Sequence, residues 1–287
     1  MWIRELLEMR ERFSRDRLPE PFHSIVRVCW KTFGKPIVKI GLVSVAKRQN
    51  FTTPPNWEWK SNLLLGFHEV DTVKLCRRLI KPGMTVVDAG AHVGYFTRLF
   101  SALVGSHGKV YAFEPNPDTF SLLKRNIEHL TNVVLINKGL SKVSGRSRLF
   151  INEDEFADSL FTGDDSLSSV DVELISMDEF WQEIGRPEVD FVKMDVEGSE
   201  PDILKGAAQF LSCHKRLLLV TEFRPASLET AGIEPAVFLQ LLSSVNFRYA
   251  AIGHEGELRS DFPNIKPGKY VNLFCEKPAD GSRNCKP

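Results

Sequence analysis

The chain has 287 residues, a formal net charge of zero, 43% hydrophobic residues and 26% charged residues. This composition is typical of a soluble globular protein with a large core, and the lack of a long basic stripe argues against a nucleic-acid partner. The five cysteines are an odd number, lie far apart and form no CxxC pair. They favour reduced thiols and a cytoplasmic location over a disulfide framework or a zinc ribbon.

Residues 1–60 predict a mainly helical or irregular N-terminal extension, interrupted by several prolines. In the opening stretch MWIRELLEMRERFSRDR, apolar residues fall roughly on one side of a helix. Such a helix would pack on its own domain or, alternatively, lie on a membrane surface. Charges interrupt every apolar run, so we predict neither a secretory signal nor a transmembrane segment.

Strand and helix patterns alternate over residues 61–277, which we predict to be one α/β domain followed by a disordered tail at 278–287. This alternation predicts a doubly wound, mostly parallel sheet that is covered on both faces. The acidic middle, INEDEFADSLFTGDDSLSS, is expected to be an irregular loop or a lid. The predicted strands are MTVVDA, KVYAFEP, NVVLINKGL, VDFVKMD, RLLLVTEF, FRYAAIG and KYVNLFCEK, and the predicted helices are VGYFTRLFSALV, PDTFSLLKRNIEHL, SEPDILKGAAQFL and EPAVFLQLLSSV.

The stretch VVDAGAHVGYF carries the first chemical signal, because ligands of an open α/β sheet bind at the carboxyl ends of its strands. The dinucleotide fingerprint GxGxxG fails here, since His92 and Tyr95 occupy the two positions that require glycine after Gly90. An NAD-dependent oxidoreductase is therefore disfavoured. The spacing is instead D-x-G-x-x-x-G, from Asp88 to Gly94, and a carboxylate before the first glycine suits a cationic part of a ligand.

A second acid, Glu114, ends the next predicted strand, 20 residues after Gly94. A carboxylate at a strand end with this offset can accept hydrogen bonds from both hydroxyls of a ribose. The two acids together suggest a ligand with an amino-acid-like end and a nucleoside end. S-adenosylmethionine (SAM) has both.

These motifs, in this order, resemble the FkbM-type branch of the class I SAM-dependent methyltransferases. The resemblance covers about residues 67–223, more than half of the chain, and leaves the first 60 residues uncovered. It implies a Rossmann-like, seven-stranded sheet with the last strand antiparallel, SAM as the cofactor and usually an oxygen acceptor. The matching segments include GFHE, KPGMTVVDAGAHVGYF, VYAFEPN, ISMDEF, DFVKMDVEGSE and LKGA.

The resemblance also implies a set of cofactor-binding residues. The family pattern directs Glu69 towards the cofactor pocket, although an acid at a helix N-terminus is an equal alternative. It places the backbone of Leu140 and Ser141 near the adenine, and residues 158–160 either fold back over the adenine or form a surface loop. The predicted cofactor-binding residues are Glu69, Asp88, Gly90, Ala91, Gly94, Tyr95, Glu114, Pro115, Asn116, Leu140 and Ser141.

Asp195 and Glu197 are the candidate catalytic residues, because they follow the fourth predicted strand, where the methyl group of SAM should point. A hydroxyl acceptor needs a base as the new bond forms, and either carboxylate can serve. A purely structural alternative, with Ser199 as a helix N-cap and Glu200 and Asp202 in the first turn, accounts for those three residues. It does not account for the two acids that precede the helix.

No metal ligand is assigned from the sequence. Asp195, Glu197 and Glu222 could hold Mg²⁺ through oxygen ligands, but no spacing requires an ion or brings the three together. The sequence thus predicts a SAM-dependent O-methyltransferase of a sugar or another small hydroxylated metabolite. The alternatives are an N-methyltransferase, disfavoured by DVEG in place of an Asn/Asp-Pro-Pro-Tyr motif, and a catalytically silent SAM-binding module that acts through its N-terminal segment.

Overall fold

The computed structural model describes residues 51–52, 68–151, 158–162, 168–260 and 269–277. The chain divides into two compact units, residues 1–69 and 70–287. The predictions made for most of the N-terminal extension and for the tail lie outside the described residues, and the predicted domain limits stay a prediction. Within the described ranges, no helix is both long enough and apolar enough to cross a membrane.

The second unit follows the predicted alternation of strands and helices. Its described helices are α1 (Val70–Leu79), α2 (Tyr95–Val104), α3 (Pro117–Ile127), α4 (Met177–Glu183), α5 (Glu200–Lys205), α6 (Ala208–Cys213), α7 (Pro225–Thr230) and α8 (Pro235–Ser244). Its described strands are β1 (Thr85–Ala89), β2 (Lys109–Phe113), β3 (Val133–Ile136), β4 (Gly139–Ser141), β5 (Gly145–Phe150), β6 (Ser169–Ser176), β7 (Phe191–Met194), β8 (Leu218–Phe223), β9 (Arg248–Ile252), β10 (Leu258–Arg259) and β11 (Val271–Glu276).

The main sheet has the strand order β3-β2-β1-β7-β8-β11-β9-β10. The first five of these strands are parallel, and β11 runs antiparallel to both of its neighbours. The expected α/β class, with a mostly parallel sheet and an antiparallel last strand, is confirmed. The expected seven strands are joined by an eighth, β10, which adds two residues at the edge beside β9.

Apolar clusters cover both faces of the main sheet. Adjacent residues of a strand point to opposite faces. Accordingly, Val86 packs in one cluster with Phe100 and Phe191, while Val87 packs in the other with Phe113. Strands buried on both faces need consecutive apolar residues, which is why the central strands read as short continuous apolar runs.

Two predicted elements are divided in the structure. NVVLINKGL forms two strands: β3 joins the main sheet, and β4 joins a second sheet of order β4-β6-β5. SEPDILKGAAQFL forms α5 and α6, which are separated at residues 206–207. A side chain at Gly206 would place its Cβ 2.2 Å from the Ser141 carbonyl oxygen, so the junction between the helices packs directly on β4.

The second sheet includes residues for which the sequence analysis predicted neither a strand nor a helix, on both sides of the acidic middle. β5 and β6 pair antiparallel, with Arg146 opposite Glu173 and Arg148 opposite Asp171. Opposite charges across a strand pair stabilise the pairing. The alternation of apolar and polar residues in VDVELIS was a strand signal that the sequence analysis did not use.

Three of the five cysteines lie within the described residues. Cys76 and Cys275 are buried free thiols, and burial raises the pKa of the Cys275 thiol. The expectation of reduced thiols therefore agrees with Cys76 and Cys275.

We expect Gly206→Ala to lower the free energy of unfolding by about 2–4 kcal/mol, because the added Cβ meets backbone atoms that cannot move independently. Gly83→Ala is the control, since Gly83 has a φ of 88° but no atom within 4 Å of an added Cβ. That change should cost only about 1 kcal/mol of backbone strain. Urea denaturation of both variants measures the difference, and equal losses would contradict the packing argument.

Candidate active site

The carboxyl ends of four neighbouring strands bring acidic side chains to one edge of the sheet. Ala89 of β1 is paired with Phe113 of β2 and with Met194 of β7, and Met194 is paired with Thr221 of β8. The next residue of each strand therefore lies at nearly the same level. These next residues are Gly90, Glu114, Asp195 and Glu222, and Asp88 lies two positions before Gly90.

Gly90 and Gly94 both adopt a backbone conformation that favours glycine, and Gly90 also packs against backbone. Gly90 has a φ of 80°, and an added Cβ would lie 1.9 Å from the carbonyl oxygen of Asp195. Gly94 has a φ of 90°, and an added Cβ would lie 2.8 Å from Cδ1 of Leu123 in α3. The glycines thus allow the turn after β1 to approach β7 and α3. Their contact with a cofactor stays a prediction.

Asp88 is fully buried, and its Oδ2 accepts a hydrogen bond of 2.6 Å from the Thr97 hydroxyl in the first turn of α2. The bond fixes the carboxylate against the start of this helix. Ala91 is buried in a small apolar cluster with Leu123, and Tyr95 packs edge-on against Phe96. The two predicted wall residues therefore also support the turn that holds Asp88.

Glu114 is buried, and each of its carboxylate oxygens accepts one backbone hydrogen bond of 2.9 Å, from His92 and from Asn116. Burial, together with the nearby acids Asp158 and Asp88, raises the pKa of Glu114 to about 8, although the two backbone N–H groups oppose the rise. A carboxylate oxygen has two lone pairs. Glu114 can therefore accept hydrogen bonds from a ligand while it holds the turn.

Asn116 caps helix α3. Its Oδ1 accepts hydrogen bonds from the backbone N–H groups of Asp118 (2.9 Å) and Thr119 (3.4 Å), and Pro117 occupies the first helical position. Its Nδ2 donates to Oδ2 of Asp158 at 2.6 Å. Asn116 therefore links the end of β2 to the distant segment that contains Asp158.

That segment, residues 158–162, lies across the strand ends. Ser159 forms an antiparallel bridge with Phe150, and its hydroxyl donates to the Glu197 carbonyl at 2.8 Å. Together with the Asn116–Asp158 bond, this contact spans from the predicted adenosine side to the predicted acceptor side. The predicted folding of residues 158–160 over the adenine stays a prediction.

The remaining predicted cofactor residues have clear structural surroundings. Leu140 is in the core, and Ser141 pairs with β6 while its carbonyl faces Gly206. Pro115 packs close to the position of an added Cβ on Gly139, 3.5 Å away. Glu69 belongs to the first unit, where it pairs with His68 at 3.5 Å. A cofactor role for these residues stays a prediction.

Glu200 organises the loop after β7. It is buried, and its two oxygens accept hydrogen bonds from the backbone N–H groups of Val196 (3.1 Å) and Gly198 (3.0 Å). Burial, with Asp195 and Glu197 nearby, raises the pKa of Glu200 to about 8. Ser199 occupies the N-cap position, but its hydroxyl has no hydrogen-bond partner within the described ranges. The structural alternative is therefore correct in placing Ser199 at the N-cap and Glu200 and Asp202 in the first turn, but Glu200 and not the Ser199 hydroxyl holds the backbone of the loop.

Asp195, Glu197 and Glu222 form a three-carboxylate cluster at the ends of β7 and β8. One carboxylate oxygen from each residue lies within 4.8 Å of the other two. Burial raises the pKa of Glu197 and the pKa of Glu222, and the neighbouring carboxylates add to both shifts. The structure thus brings together the three acids whose convergence the sequence could not establish.

Two cations border the cluster, and the sequence analysis did not assign either of them. The Lys193 ammonium lies 2.8 Å from Oδ2 of Asp195 and over the Phe96 ring at 4.5 Å. Arg224 Nη1 lies 2.8 Å from Oε2 of Glu197. The sequence carried a signal for Lys193. It precedes Asp195 by two residues, and side chains two residues apart lie on the same side of a strand.

A family model of the methyltransferase FkbM domain matches residues 88–249, more than half of the chain. The chain belongs to the FkbM methyltransferase family. The resemblance inferred from the motifs is therefore confirmed, and with it the class of SAM-dependent methyltransferases. The match includes Asp88, Glu114 and the three-carboxylate cluster.

Three similar proteins are methyltransferases by their names, and one of these names specifies hexuronic acid. The hexuronic acid methyltransferase AglP of Haloferax volcanii is 29% identical over 64% of this chain and 71% of its own length. The 2-O-methyltransferase NoeI of Sinorhizobium fredii is 24% identical over 60% of this chain and 78% of its own length. The methyltransferase sdnD of Sordaria araneosa is 29% identical over 53% of this chain and 69% of its own length.

We expect the stability of the unliganded protein to fall as the pH rises from about 5 to about 8. In this range the folded protein keeps the proton of Glu200, whose pKa is raised to about 8, while the unfolded chain, with a pKa near 4.5, has released it. The contribution of Glu200 to the free energy of unfolding is complete below pH 4.5 and is lost as the pH approaches 8. Glu114 acts in the same direction.

Glu200→Gln should make this pH dependence shallower by up to about 1.4 kcal/mol per pH unit, because one titrating group is removed. Urea unfolding at several pH values measures the slope. The exposed Glu276, at the other end of the sheet, provides the matched control Glu276→Gln. Parallel curves for wild type and Glu200→Gln would show that Glu200 is not protonated in the fold.

Proposed function

We propose that this family member is an O-methyltransferase that transfers the methyl group of SAM to a hydroxyl of a sugar or another small hydroxylated metabolite. The supporting observation is the three-carboxylate cluster beside the strand-end acids Asp88 and Glu114. A hydroxyl acceptor needs a base close to the methyl donor, and this cluster offers one. The names of the hexuronic acid and 2-O-methyltransferase relatives point to the same acceptor class.

In this proposal, Glu114 accepts hydrogen bonds from the ribose hydroxyls of SAM. Its two oxygens are held by the His92 and Asn116 backbone groups, so the carboxylate is oriented before the cofactor binds. Asp88, fixed by Thr97, acts on the cationic methionine end. SAM then lies along the strand ends, with its methyl group directed to the side of β7 and β8.

Asp195 is the proposed base. Its side chain is 30% exposed, compared with 18% for Glu197, which is also held by Arg224 and by the Ser227 hydroxyl. The acceptor hydroxyl gives its proton to Asp195 as its oxygen attacks the methyl carbon. The O–C bond forms while the C–S bond breaks, and S-adenosylhomocysteine leaves as a neutral thioether. Glu197 orients the acceptor.

Removing both strand-end acids in an Asp88→Ala, Glu114→Ala variant should abolish SAM binding. Calorimetric titration of the purified full chain with SAM and with S-adenosylhomocysteine provides the measurement. The Glu276→Gln variant should bind both ligands as the wild type does. Wild-type affinity in the double variant would overturn the cofactor-site assignment, provided that circular dichroism shows both proteins to be folded.

Asp195→Asn should keep SAM binding but lower kcat on a responsive hydroxylated acceptor by about 10²–10⁴-fold, the usual contribution of a general base. Sugars, including uronic acids, are the first acceptors to screen, and mass spectrometry of the product locates the methyl group. Unchanged kcat would remove Asp195 from the proposed role. SAM binding without turnover on any acceptor would favour the catalytically silent alternative.

A further inference from the structure

The three-carboxylate cluster has the properties of a cation site as well as those of a base. We infer that Asp195, Glu197 and Glu222 together bind one divalent cation that prefers oxygen ligands, of the Mg²⁺ type. The inference rests on the proposed function, because it assigns a second component to the same acceptor side. It adds a resident metal ion to the site, which methyl transfer from SAM does not by itself require.

The geometry of the cluster is close to that of a coordination sphere. Mg²⁺ binds oxygen at about 2.0–2.1 Å in octahedral geometry, so two oxygens on one ion lie about 3–4 Å apart. The carboxylate oxygens of the cluster lie within 4.8 Å of one another. Side-chain adjustments of less than about 1 Å would therefore bring all three onto one ion. The ligands come from two adjacent strand ends and the loop between β7 and α5, and the sheet and Glu200 fix their backbones.

Glu222 provides an independent observation that points to a ligand at the cluster. Glu222 is only 7% exposed, and its Oε2 has no hydrogen-bond partner within the described part of the chain. Buried polar side-chain atoms are nearly always satisfied, and each exception needs an explanation. Because the Glu222 carboxyl lies within the cluster, a cation bound there would be a partner for this buried group.

The charges around the cluster also favour a cation. Two side-chain cations, Lys193 and Arg224, face three carboxylates, and each engages one oxygen of its partner, Oδ2 of Asp195 and Oε2 of Glu197. A carboxylate can bind a metal through one oxygen while the other accepts a hydrogen bond, which orients the ligand. The third carboxylate, Glu222, has no such cationic partner at hydrogen-bond distance among the described residues.

A shared proton is the competing explanation, because burial and the neighbouring acids raise the pKa of Glu222. A bound cation, unlike a shared proton, would also contact the acceptor. Three protein ligands leave about three positions of an octahedral ion for water and substrate oxygens. A bound cation would lower the pKa of a coordinated hydroxyl, and it would favour an acceptor with two neighbouring oxygens, as in a sugar diol.

Electron paramagnetic resonance with Mn²⁺ tests the inference without relying on turnover. Mn²⁺ has the ligand preferences of Mg²⁺, and its free aqua ion gives a signal that disappears on binding. We expect one Mn²⁺ per chain, displaced by excess Mg²⁺. Glu222→Gln and Asp195→Asn should each weaken Mn²⁺ binding roughly tenfold or more, since even residues that only support metal ligands have effects of this size. The control Glu276→Gln should bind Mn²⁺ as the wild type does.

The titration is repeated on the same preparation that is used for SAM calorimetry, so the two proposals can fail separately. A folded protein that binds SAM but no Mn²⁺ would overturn the cation site and leave the methyltransferase proposal intact. Mn²⁺ binding that Glu222→Gln and Asp195→Asn leave unchanged would also overturn it, because the ion would then lie elsewhere. Mn²⁺ binding lost in both variants would support the site, whatever the result with SAM.

Discussion

The parallel register of β2, β1, β7 and β8 is the constraint on which the site depends. It aligns four strand ends, so that the residues after Ala89, Phe113, Met194 and Thr221 lie at one level. A Cβ added to Gly90 would lie 1.9 Å from the Asp195 carbonyl oxygen, so the backbones of the two strand ends pack directly against each other. Acids that are far apart in the sequence are thereby held together on rigid backbone, which is the arrangement that catalytic sites need.

Two of the buried acids at this edge, Glu114 and Glu200, accept hydrogen bonds from backbone N–H groups. Glu114 holds the turn after β1 and the start of the next loop, and Glu200 holds the loop after β7. Burial disfavours the charged form of both carboxyl groups and so raises the pKa of each. The proposed chemistry therefore uses carboxylates whose orientation the fold has already fixed, and a ligand with hydroxyls or positive charge would offset part of this cost.

The segment around Ser159 connects the two halves of the proposed site. Asn116 holds Asp158 on the side of β2, and Ser159 holds the carbonyl of Glu197 on the side of β7. The segment therefore joins the loop after β2 to the loop after β7 through hydrogen bonds. The segment also pairs with Phe150 of β5 through Ser159, so it connects the second sheet to the site.

The sequence by itself determined the fold class and the strand-end acids, because the alternation of strands and helices and the order of DAGAHVG, FEPN and KMDVEGSE are local signals. It could not establish that Asp195, Glu197 and Glu222 converge, nor that Lys193 and Arg224 border them, because these contacts depend on the pairing of β7 with β8. It also missed the division of the helix at Gly206, since this depends on how closely the backbone of β4 approaches. Only the tertiary structure fixes such distances, because a periodic pattern specifies the element to which a residue belongs and not the side chain it meets across the sheet.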